Sequence, residues 1–449
     1  MRRTALPCCL LFLVASLLSA QAPKIEIPQP HRPAAAAVAF LDLLVKGDFQ
    51  TAAQNFTEQM KTAAPPPRLA EIWGTLQAQL GTYKRRIATR TVKEGLYDVV
   101  LATTQFERRT VDLKVVVDEK GRIAGFFVVP AEEEKAPEAA ADPGPPPYAK
   151  PDAYREREVT VGAGEWALPG TLSMPVGKGP FPAVVLVHGS GPEDRDETVG
   201  AAKPFRDLAW GLASRGVAVL RYEKRSRVYG AKLAALGSFT VQQETIDDAL
   251  AAAALLRGTE GIDPSRVYVL GHSLGAMLVP RIGRQDPRLA GLIAMAGAAK
   301  PIEDLIVEQV TYIAGLDGLV TGEEKQQIED MRAQVAKVKA LQPGAGGSVL
   351  GAPASYWLDL RGYDPPAAAQ ALAQPLSILQ GERDYQVPMD NFAAWKRALA
   401  GRPNVTFKSY PGLNHLFIAG EGKPGPAEYQ RPGHVAEAVV ADIAAWIRR

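Results

Sequence analysis

The sequence predicts an α/β fold: a mostly parallel sheet with helices on both faces and an inserted helical lid, preceded by a small α+β domain. Three observations carry that expectation. From about Tyr154, short apolar runs alternate with helical periodicity, the pattern of a parallel sheet covered on both sides. Between Lys300 and Tyr363 the alternation stops in a charged, amphipathic stretch. Ahead of residue 130, helical periodicity gives way to four strand-like runs. At 449 residues, the chain is long enough for two or three domains of roughly 100 to 200 residues each.

At the start of the chain, Arg2 and Arg3 precede an apolar run from Leu6 to Leu18 that closes in Ser19 and Ala20. This is the pattern of an export signal, over residues 1–20, cleaved after Ala20. The run is shorter than the ~20 apolar residues a spanning helix needs. Stable membrane insertion after cleavage is therefore not expected, and the expected location is periplasmic or extracellular. Both cysteines, Cys8 and Cys9, fall inside the signal. A mature chain without them has no disulfide, no cysteine nucleophile and no thiolate metal ligand.

The small α+β domain is expected over residues 34–130. Helical periodicity from Ala34 carries Val38, Phe40, Leu41, Leu44 and Val45 to one side, and a second helix is expected over Leu69–Leu80. Strand-like runs follow at Tyr83–Thr91, Tyr97–Phe106, Arg109–Val117 and Ile123–Val129. The glutamates, alanines and Pro145–Pro147 of residues 131–153 read as an extended interdomain linker.

The remaining domain, residues 154–449, has its clearest buried strands at Ala183–Val187, Val217–Tyr222, Val267–Leu270, Leu292–Met295 and Leu376–Gln380. The lid over residues 300–363 has its clearest helix at Gln326–Leu341 and ends in the loop Pro343–Gly347.

The strongest chemical signal is Gly271-His272-Ser273-Leu274-Gly275, with a strand directly before it and a helix directly after. A serine on so sharp a turn presents its Oγ at the sheet edge, and the flanking glycines leave room for the backbone. A serine hydroxyl is a poor nucleophile at neutral pH, so it needs a base and a carboxylate to orient that base. Asp384 follows the strand Leu376–Gln380, and His415 follows the strand Val405–Tyr410, in the order serine, acid, histidine. Glu382 and Asp390 are rival acids. Among five histidines, His434 is the rival base, because His31 precedes the first domain and His188 and His272 flank other catalytic elements. The oxyanion hole needs two backbone donors: Leu274 N–H, and Ser190 N–H from His188-Gly189-Ser190-Gly191, with Gly191 as the alternative.

Over Tyr154 to Arg449 the pattern resembles the α/β-hydrolase superfamily. The run His188-Gly189-Ser190-Gly191-Pro192 followed by Asp194-Arg195-Asp196 resembles the EstD-type bacterial esterases, which also carry a small N-terminal α+β domain. The resemblance implies a serine carboxylesterase acting on short acyl chains. One departure stands out: after Tyr222 such proteins usually show Arg-Gly, whereas this chain has Lys224-Arg225-Ser226-Arg227. Charged residues at Asp194, Arg195, Asp196, Lys224 and Arg225 are read as structural or solvated, with shaping of the acyl pocket as the alternative.

The expected reaction is ester hydrolysis through an acyl-enzyme, with a small-molecule ester as partner and water as the only cofactor. A peptidase or amidase of the prolyl oligopeptidase or aminopeptidase type uses the same triad, and an inert ligand-binding protein is a third alternative. No metal site is expected, because no histidine and carboxylate pair has ligand spacing. Gly344, Gly346 and Gly347 follow a helix, so they lack the strand context of a phosphate loop. The formal charge of +2, without a basic stripe, argues against nucleic acid. Sequence leaves the oligomeric state open.

Overall fold

The computed structural model describes residues 33–94, 97–130, 142–316, 318–320 and 322–449. The expected export signal and residues 131–141 of the expected linker lie outside them. The chain divides into two compact units, Met1–Ala136 and Pro137–Arg449.

In the first unit, helices at Pro33–Lys46 and Pro66–Leu80 precede an antiparallel sheet of β1 (Tyr83–Glu94), β2 (Tyr97–Phe106), β3 (Thr110–Val117) and β4 (Ile123–Pro130), paired in that order. Ala37, Phe40, Leu41 and Leu44 repeat at helical spacing and pack with Leu69, Trp73, Leu113 and Val115 in one apolar core. Short helices at Phe49–Ala52 and Glu58–Ala63, absent from the sequence expectation, fill the connection. Each starts on a side-chain cap: Asp48 accepts from the Thr51 N–H and Thr57 from the Met60 N–H.

The second unit is built on an eight-stranded sheet. Its strands are β5 (Tyr154–Val161), β6 (Leu168–Pro175), β7 (Phe181–Val187), β8 (Ala218–Tyr222), β9 (Ile262–His272), β10 (Gly291–Met295), β11 (Leu376–Gly381) and β12 (Val405–Tyr410). They lie in the order β12-β11-β10-β9-β7-β8-β6-β5. Strands β7 to β12 run parallel to one another, and β5 and β6 close the edge beside β8 antiparallel. Successive residues of β7 serve opposite faces: Ala183, Val185 and Val187 pack with Ala252, Leu256 and Val279, while Val184 and Leu186 pack with Phe205, Leu208 and Val440. The two-residue period of a strand thereby builds both cores at once. Helices at Ile302–Ala314, Gly322–Ala340 and Ala354–Leu360 form the insertion between β10 and β11.

One expectation needs correction. Residues 142–153, read from composition as extended linker, pack on the second unit. Asp142 takes a two-pronged contact from Arg206 at 2.6 and 2.7 Å, and the Tyr148 hydroxyl donates to the Val435 carbonyl at 2.7 Å. A guanidinium fork matched to a carboxylate and a buried tyrosine with its hydroxyl satisfied outweigh the local preference for extension.

Candidate active site

Strand β9 ends at His272, the helix Leu274–Gln285 begins two residues later, and Ser273 joins them at φ 54°, ψ −114°. A positive φ is costly for a residue with a side chain, and it is held here by the Ser273 N–H donating to the Met295 carbonyl and its carbonyl accepting from Met277 N–H. The flanking glycines are required by contact. A Cβ on Gly271 would stand 2.3 Å from the Gly275 carbonyl carbon, and one on Gly275 would stand 2.2 Å from the Val187 oxygen. Ser273 is thus presented at the C-terminal end of β9, between β7 and β10.

The loops after β11 and β12 bring Asp384 and His415 together. His415 Nδ1 lies 2.7 Å from Asp384 Oδ2, with both residues at most 5% exposed. Gln380 Nε2 donates to the same Oδ2, and the Gln386 and Val387 N–H groups donate to Oδ1. Nδ1–H donation to this fixed carboxylate leaves Nε2 as the basic nitrogen of the neutral ring. Ser273 Oγ makes no hydrogen bond to His415 among the described residues; such bonds are commonly long before substrate binds. The rival candidates are placed elsewhere. Glu382 accepts from the Ser409 hydroxyl at 2.8 Å, Asp390 pairs with Lys300 at 2.7 Å, and His434 pairs with Asp207 at 3.1 Å.

The loop after β7 runs beside the serine: a Cβ on Gly189 would lie 3.2 Å from Ser273 Cβ. The Ser190 and Gly191 N–H groups have no partner among the described residues, and both residues are exposed. Leu274 is the first residue of its helix, where the backbone N–H has no intrahelical acceptor. The two expected donor segments therefore flank Ser273.

Glu197, His272 and Glu193 carry no role in the sequence reading, and Lys224 is read there as structural or solvated, with shaping of the acyl pocket as the alternative. Glu197 is 2% exposed and accepts from the Gly189 N–H at 2.7 Å. Its other oxygen lies 2.9 Å from His272 Nδ1 as an ion pair, off the alignment of a good hydrogen bond. His272 Nε2 in turn reaches the His415 carbonyl at 2.9 Å. Burial lowers the His272 pKa, but the Glu197 carboxylate and the His415 carbonyl more than offset it and raise it to about 9. Burial likewise raises Glu197, and the His272 charge overcomes it to hold the carboxyl below its ordinary value. His272 is therefore an imidazolium at neutral pH, in contrast to His188, which burial pushes down to about 4. Glu193, beside Gly191, is raised to about 7 by burial and then by the Glu197 charge. Lys224, 2% exposed, donates to the Gly189 carbonyl at 2.7 Å and pairs with Glu244 at 3.0 Å. The residue types were visible in sequence, but only the fold shows which are buried.

The other charged residues are structural. Arg195 bridges Glu158 and Glu223, Asp196 pairs with Arg221, and Arg225 pairs with Asp248. On the insertion, a cavity of about 540 Å³ is lined by Lys300, Asp304, Glu308, Arg332 and Lys339, and shares no residue with the triad. A second, about 130 Å³, borders Asn414 and Gly420 next to the histidine loop.

A parallel sheet covered on both faces, a serine on the strand-to-helix turn, and an acid and histidine on the following strands define an α/β hydrolase. The model of the prolyl oligopeptidase family matches residues 205–433, and residues 37–126 match a family described as a protein of unknown function. Over 408 residues the chain is 38% identical to Esterase EstD of Thermotoga maritima, covering 91% of this chain and 93% of that protein. The chain belongs to the prolyl oligopeptidase family, and EstD is its relative over most of both chains. Similarity extends to solved structures of an esterase from Pyrococcus furiosus (TM-score 0.43, 15% identity, 67% of this chain and 93% of that one) and of Est1E from Butyrivibrio proteoclasticus (TM-score 0.41, 18% identity, 65% and 99%).

Proposed function

We propose that this protein is an exported serine carboxylesterase that hydrolyses short-chain carboxylic esters through an acyl-enzyme. The observation that carries the reading is Ser273 on its strained turn, beside the buried His415–Asp384 pair at 2.7 Å. His415 Nε2 takes the proton as Ser273 Oγ attacks the ester carbonyl. The tetrahedral oxyanion is held by the Leu274 and Ser190 N–H groups, and His415 returns the proton to the leaving alcohol. Water then attacks the acyl-enzyme with His415 again as base, and the acid leaves. Asp384 keeps the imidazole in the working tautomer throughout, a role whose loss costs about 10⁴-fold in turnover. Similarity to EstD supports the ester specificity, and the signal-like residues 1–20 support export.

The family match favours a second reading, an amidase or peptidase with the same triad. Side-by-side assays with p-nitrophenyl butyrate and an aminoacyl-anilide separate them, since faster anilide turnover would favour the peptidase. Ser273→Ala tests both. It is expected to remove p-nitrophenyl acetate and butyrate hydrolysis by at least about 10³-fold, together with fluorophosphonate labelling. Hydrolysis at the wild-type rate would end the assignment.

A further inference from the structure

Lys224, the first residue of the Lys224-Arg225-Ser226-Arg227 run, is neither solvated nor at the surface. A buried ammonium is costly unless its donors are satisfied. Lys224 spends two of them on Gly189 O at 2.7 Å and Glu244 Oε1 at 3.0 Å. Glu244 sits on a π-helical turn, Gln242–Ile246, and is steadied by the Ser226 and Thr245 hydroxyls at 2.7 and 2.8 Å. Burial raises Glu244, but the Lys224 charge and these hydroxyls outweigh it and hold the carboxyl below its ordinary value. The pair is thus an ionised strut whose free end is fixed on one backbone carbonyl.

That carbonyl belongs to the Gly189–Ser190 peptide unit. In a planar trans peptide the C=O and the following N–H point in opposite directions, so a cation that fixes one also aims the other. The Ser190 N–H is the donor aimed here, and among the described residues it has no partner of its own. On the other side of Gly189, its N–H is held by Glu197 at 2.7 Å, so both peptide planes of the residue are pinned by buried charges. Hydrogen bonding of a cation to the carbonyl also polarises the amide and strengthens its N–H as a donor.

We infer that Lys224 is a positioning residue of the oxyanion hole, aiming and polarising the Ser190 N–H through the Gly189 carbonyl. The inference rests on the proposed Ser273 reading. Lys224 itself touches no reacting atom.

The test uses the full chain. Lys224→Met alone strands Glu244 in the interior, so it is combined with Glu244→Gln to remove both charges. The double variant should lower kcat for p-nitrophenyl butyrate about 10- to 100-fold, short of the full loss of an oxyanion donor, with KM within about threefold. Affinity for an aryl trifluoromethyl ketone, whose serine adduct carries an oxyanion, should fall by a similar factor. A folded double variant with wild-type turnover, or one that loses kcat while binding the ketone normally, overturns the inference. If it does not fold, Lys224→Arg carries the test: it keeps the charge against Glu244 but displaces the donor. Parallel losses in kcat and ketone affinity are then expected, and unchanged turnover overturns the inference. If Ser273→Ala stays active, the underlying reading fails; if Ser273→Ala is dead while the Lys224 variants are normal, only this inference fails.

Discussion

In the N-terminal unit the interior is apolar apart from a small polar patch, where Asp112 accepts from Thr103 at 2.6 Å and pairs with Arg90 at 2.8 Å. In the hydrolase unit, ionisable side chains are buried at the C-terminal ends of β7, β8, β9, β11 and β12 around the serine: Glu197, Lys224, His272, Asp384 and His415 are each at most 5% exposed. Burying charge seldom adds stability compared with apolar packing of the same volume. Among its described residues the first unit buries a single ionisable side chain, Asp112. The concentration of buried charge next to Ser273 therefore reflects a demand for oriented donors and acceptors, which apolar side chains cannot supply. The comparison teaches that charge, once buried and paired, is a better guide to the chemistry than charge counted in the sequence.

The largest effect that can break this contrast is expected for Glu197→Gln. It removes the charge facing His272 and perturbs the acceptor of Gly189 N–H, so kcat should fall about tenfold or more. Stability should also change its pH dependence. The folded-state pKa of His272 is raised from 6.5 to about 9. Its contribution is therefore fully present below pH 6.5 and is lost as pH rises through about 9. The groups facing His272 are Glu197, the His415 carbonyl and, at longer range, Asp384. Urea melts of the wild type between pH 6 and 10 should show this alkaline loss, and the variant should show a flatter profile. Equal slopes would mean that the buried ion pair does not hold the His272 proton.

How much of this was legible in sequence follows the same division. The nucleophile turn was readable because Gly271 and Gly275 serve a backbone need that shows in their spacing, and β7, β8, β10, β11 and the second half of β9 because buried parallel strands are largely apolar. Strand β5 was not readable. Its Arg155, Glu156, Arg157 and Glu158 are exposed, and charges mask the strand although Glu156 and Glu158 are paired across space to Arg221 and Arg195. The ion pairs at Asp194–Asp196 could be anticipated from composition. The roles of Glu197 and Lys224 could not: that of Lys224 depends on the loop after β8 meeting Gly189, 35 residues away, and that of Glu197 on the loop after β7 folding back on Gly189 and meeting His272 at the end of β9. Residues 142–153 misled for the complementary reason: their composition resists packing, and partners distant in sequence, Arg206 for Asp142 and Val435 for Tyr148, reverse it.

A smaller effect on chemistry, though a large one on folding, is expected from Leu113→Ala in the N-terminal unit. Leu113 is 1% exposed in an apolar core, so truncation should cost about 2 to 5 kcal/mol in the unfolding of that unit. Turnover of p-nitrophenyl butyrate by the folded variant should stay within about twofold. A tenfold loss of kcat at a temperature where the variant is folded would show that this core does more than support its own unit, and the contrast between the units would have to be redrawn.

The smallest effect is expected for Lys300→Met, and it isolates burial as the variable. Lys300 also makes a lysine's usual contacts, pairing with Glu308 at 2.9 Å and with Asp390 at 2.7 Å, but its side chain is 26% exposed against 2% for Lys224. Glu308 and Asp390 are more open still, at 45% and 61%. When Lys300 is removed, water can solvate both carboxylates, so the change should cost no more than about 1 kcal/mol and should shrink further at high salt. Because Lys300 holds no backbone group beside Ser273, kcat should not move with it. Thermal melts at low and high salt, run beside ester kinetics, check both halves of the expectation. A loss in turnover comparable to that of the Lys224 variants would mean that the insertion's charges act on the site, and that burial is not what separates working charge from surface charge in this protein.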